Sequence, residues 1–255
     1  MFFLKEYKWL NENFTWTFEA LGGSSILLTI PHDRAVHPSD LMGIFEPRKK
    51  GIKGHDSFVW PIVKDMLLKT NVNVVRGLLP RNFVDYNRSI EGVSYDRFSE
   101  SETETAIDNE QLAFFYKSYH QAIVNFLIKV IKKNGRKKCL LVDLHGFTKQ
   151  PVYGEYDLIL GTGNRKTISA NIDQLFAKFM SKLGYNIFLP SEETVVPGVD
   201  DRYAAEFTAR HYAEKFGIDT MQIEIAKKFR ILEGTEIGQK LSYDMANFFS
   251  QQFNS

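Results

Sequence analysis

Several short segments of this 255-residue chain place an ionisable side chain at or near the end of an apolar run. Residues 26–32 end in a histidine, residues 140–146 carry an aspartate and a histidine, and residues 221–225 contain a glutamate. A buried strand that ends in such a residue presents it at the sheet edge, where open α/β proteins keep their sites. Two histidines, a carboxylate and a further glutamate are the groups that a zinc hydrolase uses. The sequence therefore predicts one metal site.

The candidate metal ligands are His32, His145 and Asp56. Neutral imidazole and carboxylate oxygen are standard zinc ligands, and a catalytic zinc site has three protein ligands. His32 and His145 both follow predicted strands, and Asp56 opens the helix that follows the His32 strand. The alternative role for Asp56 is to cap that helix at its N-terminus. His55 and Asp33 compete with Asp56 for the third ligand position.

Glu224 is the candidate for proton transfer. It lies between apolar residues in the run of residues 221–226, where a charge is costly unless it is paired or has a catalytic task. It would serve as general base toward the attacking water and then as general acid toward the leaving nitrogen. A salt bridge at a strand end is the alternative. Asp143 precedes His145 by two residues, so it would lie on the same side of the strand and orient that histidine.

Residues 81–88 supply candidate substrate-binding groups. Arg81 and Arg88, with Asn87 between them, offer planar guanidinium groups suited to a carboxylate or to a developing oxyanion. A charged surface loop is the alternative interpretation of this segment.

The elements that must position these residues alternate between strand and helix. Strands are predicted at residues 25–31, 72–76, 138–144, 157–160, 185–189 and 221–226, and helices at residues 57–69, 112–133, 169–183, 200–216 and 237–249. This alternation predicts an α/β fold with a mixed, mostly parallel sheet flanked by helices. Without a repeat or a Pro- or Ser-rich linker, residues 1–255 are predicted to form a single domain. The acidic residues 91–110 interrupt the pattern and are predicted to form a solvated loop or, alternatively, a lid over the site.

Composition narrows the function classes. Hydrophobic residues make up 44% and charged residues 25%, and the net charge is +1, so neither nucleic acid nor an acidic membrane surface is an expected partner. Cys139 is the only cysteine, which excludes an intramolecular disulfide and a Cys-based zinc cluster, and we interpret it as a core residue. No apolar stretch approaches the roughly 20 residues of a membrane helix. Charges come too early in the N-terminal segment for a secretory signal, so we expect a cytoplasmic protein.

Taken in order, these segments resemble the motifs of the N-formylglutamate amidohydrolase family. Pro31-His32 is similar to the family's Pro-His-Ser-Gly element, and Asp143-Leu144-His145 is similar to its Asp-x-His element. The other similarities, all in family order between residues 26 and 226, are Asp56 as the aspartate that opens the next helix, Arg81 with Val84-Asp85-Tyr86-Asn87-Arg88, Asp157-Leu158-Ile159-Leu160-Gly161-Thr162, and Gln222-Ile223-Glu224-Ile225.

The chain also departs from the family pattern. Asp33-Arg34 replaces the small residues after the first histidine, and Gly146 replaces a serine after the second. The family's glycine-rich segment before its last helix is only partly matched by residues 197–203. These departures concern the surroundings of the substrate, so the metal and the base are better supported than the identity of the substrate.

The resemblance implies a phosphorylase/hydrolase-like fold, similar to zinc carboxypeptidases and aspartoacylase-type hydrolases. It implies a zinc-dependent amidohydrolase that cleaves the amide of a small N-acyl amino acid similar to N-formylglutamate by attack of a metal-bound water. Zinc would be bound by His32, Asp56 and His145. An aspartoacylase- or carboxypeptidase-type zinc hydrolase is an alternative. A non-catalytic relative that binds an amino-acid-like ligand is another, because Arg34 next to a ligand could impair the metal.

The same resemblance assigns roles around the substrate. Arg81 would contact the carbonyl oxygen as it becomes an oxyanion, while Asn87 and Arg88 would hold the substrate carboxylate. Glu224 would carry the proton transfers without binding the metal.

Overall fold

A seven-stranded mixed sheet forms the centre of the molecule. The computed structural model describes residues 14–21, 23–33, 35–42, 44–49, 56–91, 105–148, 154–189, 205–230 and 235–253. In these residues the strands are β1 Thr15–Phe18, β2 Ile26–Ile30, β3 Asn73–Gly77, β4 Leu140–Phe147, β5 Leu158–Gly161, β6 Ile187–Phe188 and β7 Asp219–Ala226. Their order across the sheet is β1-β3-β2-β4-β7-β5-β6.

Parallel pairing dominates the middle of the sheet. β3, β2, β4 and β7 run parallel to one another, and β5 runs parallel to β6. β1 is antiparallel to β3, and β5 is antiparallel to β7. The four parallel neighbours therefore end at the same edge of the sheet, and the segments that follow them meet there.

The helices cover both faces of the sheet. They are α1 Pro38–Leu41, α2 Val59–Leu67, α3 Ala113–Asn134, α4 Ile172–Lys182, α5 Phe207–Phe216 and α6 Glu236–Phe253. Helices α2, α4 and α6 pack in one hydrophobic cluster with Leu28, and helices α3 and α5 pack in the other with Leu27. Successive side chains of β2 thus enter opposite cores, which explains why this strand is apolar at almost every position.

The predicted α/β fold class is confirmed, since the sheet is mixed, mostly parallel and flanked by helices. The structure adds β1, a short edge strand whose residues after Thr15 are at least partly exposed, so no apolar run marks it in the sequence. It also adds the single-turn helix α1. The helix predicted at residues 200–216 begins only at Phe207 within the described part of the chain. Residues 92–104 of the acidic segment lie outside the described residues, and a domain spanning 1–255 stays a prediction.

No helix among the described residues is both long enough and apolar enough to cross a membrane.

Candidate functional site

The carboxyl edge of the parallel strands gathers most of the predicted site residues. His32 follows the end of β2, and His145 lies near the end of β4. On the next strand, Glu224 of β7 is the register partner of His145. In a parallel pair, register partners have side chains on the same face, so the sheet itself puts Glu224 beside His145.

His32, Asp56 and His145 converge as one group whose potential ligand atoms all lie within 4.8 Å of one another. Oδ2 of Asp56 lies 3.3 Å from Nδ1 of His32 and 3.0 Å from Nδ1 of His145. All three residues are buried. Two imidazoles and a carboxylate that meet at one point fit a metal ion, so the structure contains a possible metal site.

The opposite nitrogen of each histidine ring faces a second carboxylate. Nε2 of His32 lies 2.8 Å from Oδ1 of Asp85, and Nε2 of His145 lies 2.8 Å from Oδ2 of Asp143. Metal-binding histidines commonly donate this second N–H to a carboxylate, which leaves the other nitrogen free to bind the ion. This arrangement is independent support for a metal site. It is also the contact that the predicted orienting role of Asp143 requires, and Thr29 Oγ1 donates a 2.6 Å hydrogen bond to the other oxygen of Asp143.

Asp85 is a site residue that sequence reasoning named only as part of a motif. Besides its contact with His32, its Oδ2 accepts hydrogen bonds from Arg81 Nε at 2.8 Å and from Arg48 NH1 at 3.3 Å. Its Oδ1 also accepts the backbone N–H of Asn87. Asp85 is completely buried, which alone would raise its pKa, but the charges of Arg81 and His32 and the hydrogen bond from His32 hold the pKa well below the usual range. The sequence signal was a lone aspartate between apolar neighbours, Val84 and Tyr86.

The structure tests two of the alternatives for the third ligand position: helix capping by Asp56, and Asp33 as the ligand. Capping of α2 by Asp56 is wrong, because the N-cap residue is Phe58 and Oδ2 of Asp56 contacts the two histidines instead. Asp33 turns away from the metal group: it accepts Arg76 Nε at 2.8 Å and the backbone N–H of Trp60 at 3.4 Å. His55 and Arg34 lie outside the described residues. A ligand role for His55 and an effect of Arg34 on the metal therefore stay predictions.

The two histidines keep Asp56 ionised. Burial alone would raise the pKa of Asp56, but hydrogen bonds from His145 and His32, together with their charges, lower it below its usual range. A carboxylate that remains charged in a buried site is a suitable metal ligand.

Glu224 has the opposite electrostatic balance. Burial is the largest influence and raises its pKa to about 7, with the charge of His145 opposing the shift and those of Asp56 and Glu206 adding to it. Its Oε1 accepts a 2.8 Å hydrogen bond from Gln222 Nε2. Such a carboxyl group can hold or release a proton near neutral pH.

Residues 81–88 are not a surface loop, so that alternative interpretation is wrong. Arg81 and Asn87 are buried, and Arg88 is partly buried. Asn87 Nδ2 lies 3.2 Å from Nε2 of His145, which brings this segment to the metal group. Arg81 NH2 is buried and makes no hydrogen bond to any described residue, so this donor is available to a ligand.

A second residue that sequence reasoning missed, Glu206, lies among these donors. Its Oε2 accepts hydrogen bonds from Arg88 NH1 at 2.7 Å and from Asn87 Nδ2 at 2.9 Å, and lies 4.0 Å from Arg81 NH2. Oδ1 of Asn87 in turn accepts the backbone N–H of Thr208 at 2.8 Å. In the sequence this glutamate is only one position of the helix predicted at residues 200–216, so only the fold reveals the contact.

Gly146, one of the departures from the family pattern, has a packing cause. A Cβ at this position would lie 2.1 Å from Cζ of Arg230. The Arg230 guanidinium occupies that space and donates to the backbone oxygens of Ile225, Phe147 and Ser57 at 2.9, 3.0 and 2.6 Å. Arg230 thus ties the ends of β4 and β7 to the segment before α2, and a serine after His145 would collide with it.

Comparison with known proteins identifies the family and the fold. The family model described as N-formylglutamate amidohydrolase matches residues 24–230. The fold is similar to the crystal structure of N-formylglutamate amidohydrolase from Ralstonia eutropha, with a TM-score of 0.68 at 14% identity, covering 93% of this chain and 96% of that one. It is also similar to a gene product of Agrobacterium tumefaciens, with a TM-score of 0.63 at 17% identity, covering 93% and 94%. At these identities the likeness concerns the fold. No curated protein matches.

The family that this model describes consists of hydrolases that act on C–N amide bonds. The chain belongs to the N-formylglutamate amidohydrolase family.

Proposed function

We propose that this protein is a zinc-dependent amidohydrolase that cleaves the amide bond of an N-acyl amino acid similar to N-formylglutamate. The observation that carries the proposal is the group formed by His32, Asp56 and His145, in which both histidines are backed by carboxylates and one stands beside Glu224. The products would be a carboxylic acid and a free amino acid. A cytoplasmic location and the absence of nucleic-acid partners stay predictions.

His32, Asp56 and His145 would hold the zinc ion, which fits a donor set of two imidazoles and one carboxylate. When bound, zinc supplies Lewis-acid polarisation of the substrate carbonyl and activation of water. Asp85 and Asp143 fix the ring orientation of the two histidines, so that both Nδ1 atoms face the position of the ion.

Glu224 would accept a proton from the attacking water and then deliver it to the leaving nitrogen. Proton delivery is needed because an unprotonated amide nitrogen is a poor leaving group. The raised pKa of about 7 suits both halves of this task. Asp143 is a weaker candidate, because His145 and Thr29 already engage both of its oxygens.

The substrate would be oriented by the donors of residues 81–88. Arg81 NH2 would bind the carbonyl oxygen as negative charge develops, since this buried donor has no hydrogen bond among the described residues. Asn87 and Arg88 would hold the substrate carboxylate, because they already bind a carboxylate in this structure, that of Glu206. The family supports a small amino acid derivative as the ligand.

The test of the proposed role of Glu224 is the Glu224→Gln variant, assayed on a panel of N-acyl amino acids that includes N-formylglutamate. The amide keeps the shape of the side chain and removes the titratable proton. The variant should keep its zinc and its substrate affinity but lose kcat by at least about 10²-fold. Glu214→Gln, on α5 and outside the site, is the control and should match the unmodified protein. A Glu224→Gln protein with near-normal kcat, or one without zinc, would give this residue another role.

A further inference from the structure

Glu206 places a carboxylate of the protein itself where the proposed function puts the carboxylate of the substrate. Its Oε2 accepts from Arg88 NH1 and Asn87 Nδ2, the two residues that would bind the substrate's acid group. The third donor, Arg81 NH2, lies 4.0 Å away, too far for a hydrogen bond. The protein thus reproduces the expected substrate contact with its own side chain.

The position of this side chain is not explained by helix capping. Glu206 is the N-cap residue of α5, but its carboxylate makes no capping hydrogen bond. The first-turn N–H of Thr208 is instead accepted by Asn87 Oδ1. The preceding residue, Ala205, has a φ of 81°, in a region that residues with a Cβ rarely adopt. Backbone strain of this kind persists only where the surroundings impose it, and it often accompanies a functional contact.

The Glu206–Arg88 pair lies at the more open end of the site. The two side chains are 16% and 24% exposed, whereas Arg81 and Asp85 in the neighbouring ion pair are 7% and 0% exposed. A small anion from solvent can therefore reach Arg88 without disturbing the buried pair. Burial favours the neutral form of Glu206, but the charges of Arg88, Arg81 and His145 outweigh it and keep its pKa below the usual value, so the carboxylate is ionised.

Two carboxylates at these donors would repel each other. A substrate carboxylate bound to Arg88 while Glu206 remained would put two negative charges against one guanidinium group. Either Glu206 leaves when the substrate binds, or the substrate has no carboxylate at this point. The partly exposed position of the pair favours departure, which requires only rotation of a flexible side chain.

We propose that Glu206 is a specificity-determining residue that competes with the substrate carboxylate for Arg88 and Asn87. Only a ligand that brings its own carboxylate can replace the interaction that Glu206 gives up. A neutral ligand gains nothing at Arg88, so the internal carboxylate selects for acidic ligands at a cost in affinity. This inference rests on the proposed function, since it needs Arg88 and Asn87 to be the carboxylate-binding residues.

The test is calorimetric titration of the zinc-loaded protein with L-glutamate, which has the expected acid group and no amide bond to cleave. The comparison ligand is its diamide, in which neutral amides replace both carboxylates. The Glu206→Gln variant keeps the shape of the side chain but removes the competing charge. It should bind L-glutamate at least about threefold tighter than the unmodified protein, with less than about twofold change for the diamide. Glu206→Ala should also bind L-glutamate more tightly, and Glu214→Gln is the matched control on α5.

Other outcomes overturn the inference. Weaker or equal binding of L-glutamate by Glu206→Gln would mean that Glu206 positions Arg88 rather than competing for it. Tighter binding of the diamide than of L-glutamate by the unmodified protein would mean that Glu206 stays in place and selects uncharged groups. If neither Glu206 variant binds L-glutamate, Arg88 and Asn87 do not form a binding site for a ligand carboxylate.

A hydrolysis assay distinguishes failure of the proposed function from failure of this inference. If the zinc-loaded protein hydrolyses no N-acyl amino acid, the proposed function is wrong, whatever the Glu206 variants bind. Hydrolysis by the unmodified protein without tighter binding by Glu206→Gln would instead remove only the role of Glu206.

Discussion

His145 and Glu224 are register partners on the neighbouring parallel strands β4 and β7. One strand thus carries a potential metal ligand, and the next carries a carboxyl group with a pKa of about 7. Because strand register fixes this relationship, the distance between the two side chains depends on the core of the sheet rather than on a loop. The order β2-β4-β7 puts the His32 strand on the other side of β4, so His145 lies between the two functional neighbours.

Replacing His145 by Ala should abolish stoichiometric zinc binding. The variant loses one of three convergent ligands, and the remaining His32 and Asp56 cannot complete a three-ligand site. Metal analysis of the folded, purified protein measures this, with Asp56→Ala measured in parallel. His37→Ala, an exposed histidine outside the group, should keep the metal. A full equivalent of zinc in His145→Ala would show that the ligand set is different.

Asp85→Asn should weaken zinc binding by about 10–100-fold, the usual effect of losing a carboxylate behind a metal-binding histidine. The amide cannot offer charged acceptors to both His32 and Arg81, so the imidazole loses its fixed orientation. Competition with a chromophoric chelator measures the affinity. Asp244→Asn, whose carboxylate pairs with Lys240 away from the site, provides the control. Unchanged affinity in Asp85→Asn would limit Asp85 to the support of the two arginines.

Gly146→Ala should reduce the free energy of unfolding by about 1–3 kcal/mol, because the added methyl group overlaps the guanidinium of Arg230. Urea denaturation measures the change. The cause can be isolated in the Arg230→Met background, where the methyl group meets a more adaptable side chain and should cost less. Equal costs in both backgrounds would mean that the overlap with Arg230 is not the cause.

How much of the fold and of the site the sequence predicts depends on whether a contact joins residues that are near or distant in the chain. The strands that carry His32, His145 and Glu224 were predictable because buried parallel strands are continuous apolar runs. The contact between Asp143 and His145 followed from the two-residue period of one strand. Glu206 and Arg230 were not predictable as site neighbours, because their contacts join segments distant in sequence: Glu206 meets Arg88, and Arg230 fills the space above Gly146. β1 was missed because a short, partly exposed edge strand has no strong hydrophobic pattern.

The protein should become less stable as the pH is lowered from about 6.5, and His120 is one cause. Burial, followed by the charges of His211 and Lys215, lowers the pKa of this histidine to about 3 in the folded state. In the unfolded chain the pKa is about 6.5, so between these values the unfolded state alone takes up the proton. On acidification, His120 should therefore lower the free energy of unfolding by up to about 1.4 kcal/mol per pH unit.

The His120→Asn variant tests this pH dependence. Asparagine removes the titration while keeping a polar group near the Tyr212 hydroxyl, which lies 2.8 Å from His120 Nδ1. Denaturation series between pH 4 and 7 should show a shallower slope in the variant, whatever its absolute stability. An identical slope in both proteins would assign the acid lability to other groups.

The central claim, that this protein is a zinc-dependent amidohydrolase, is tested most directly by titrating zinc into protein from which a chelator has removed the metal. The readout is hydrolysis of N-formylglutamate and other N-acyl amino acids. If His32, Asp56 and His145 form the zinc site of an amidohydrolase, the metal-free protein should be inactive. Activity should then rise in proportion to bound zinc and level off at one ion per chain, and His145→Ala should not respond. Full amide hydrolysis by the metal-free protein, or by His145→Ala, would contradict the account.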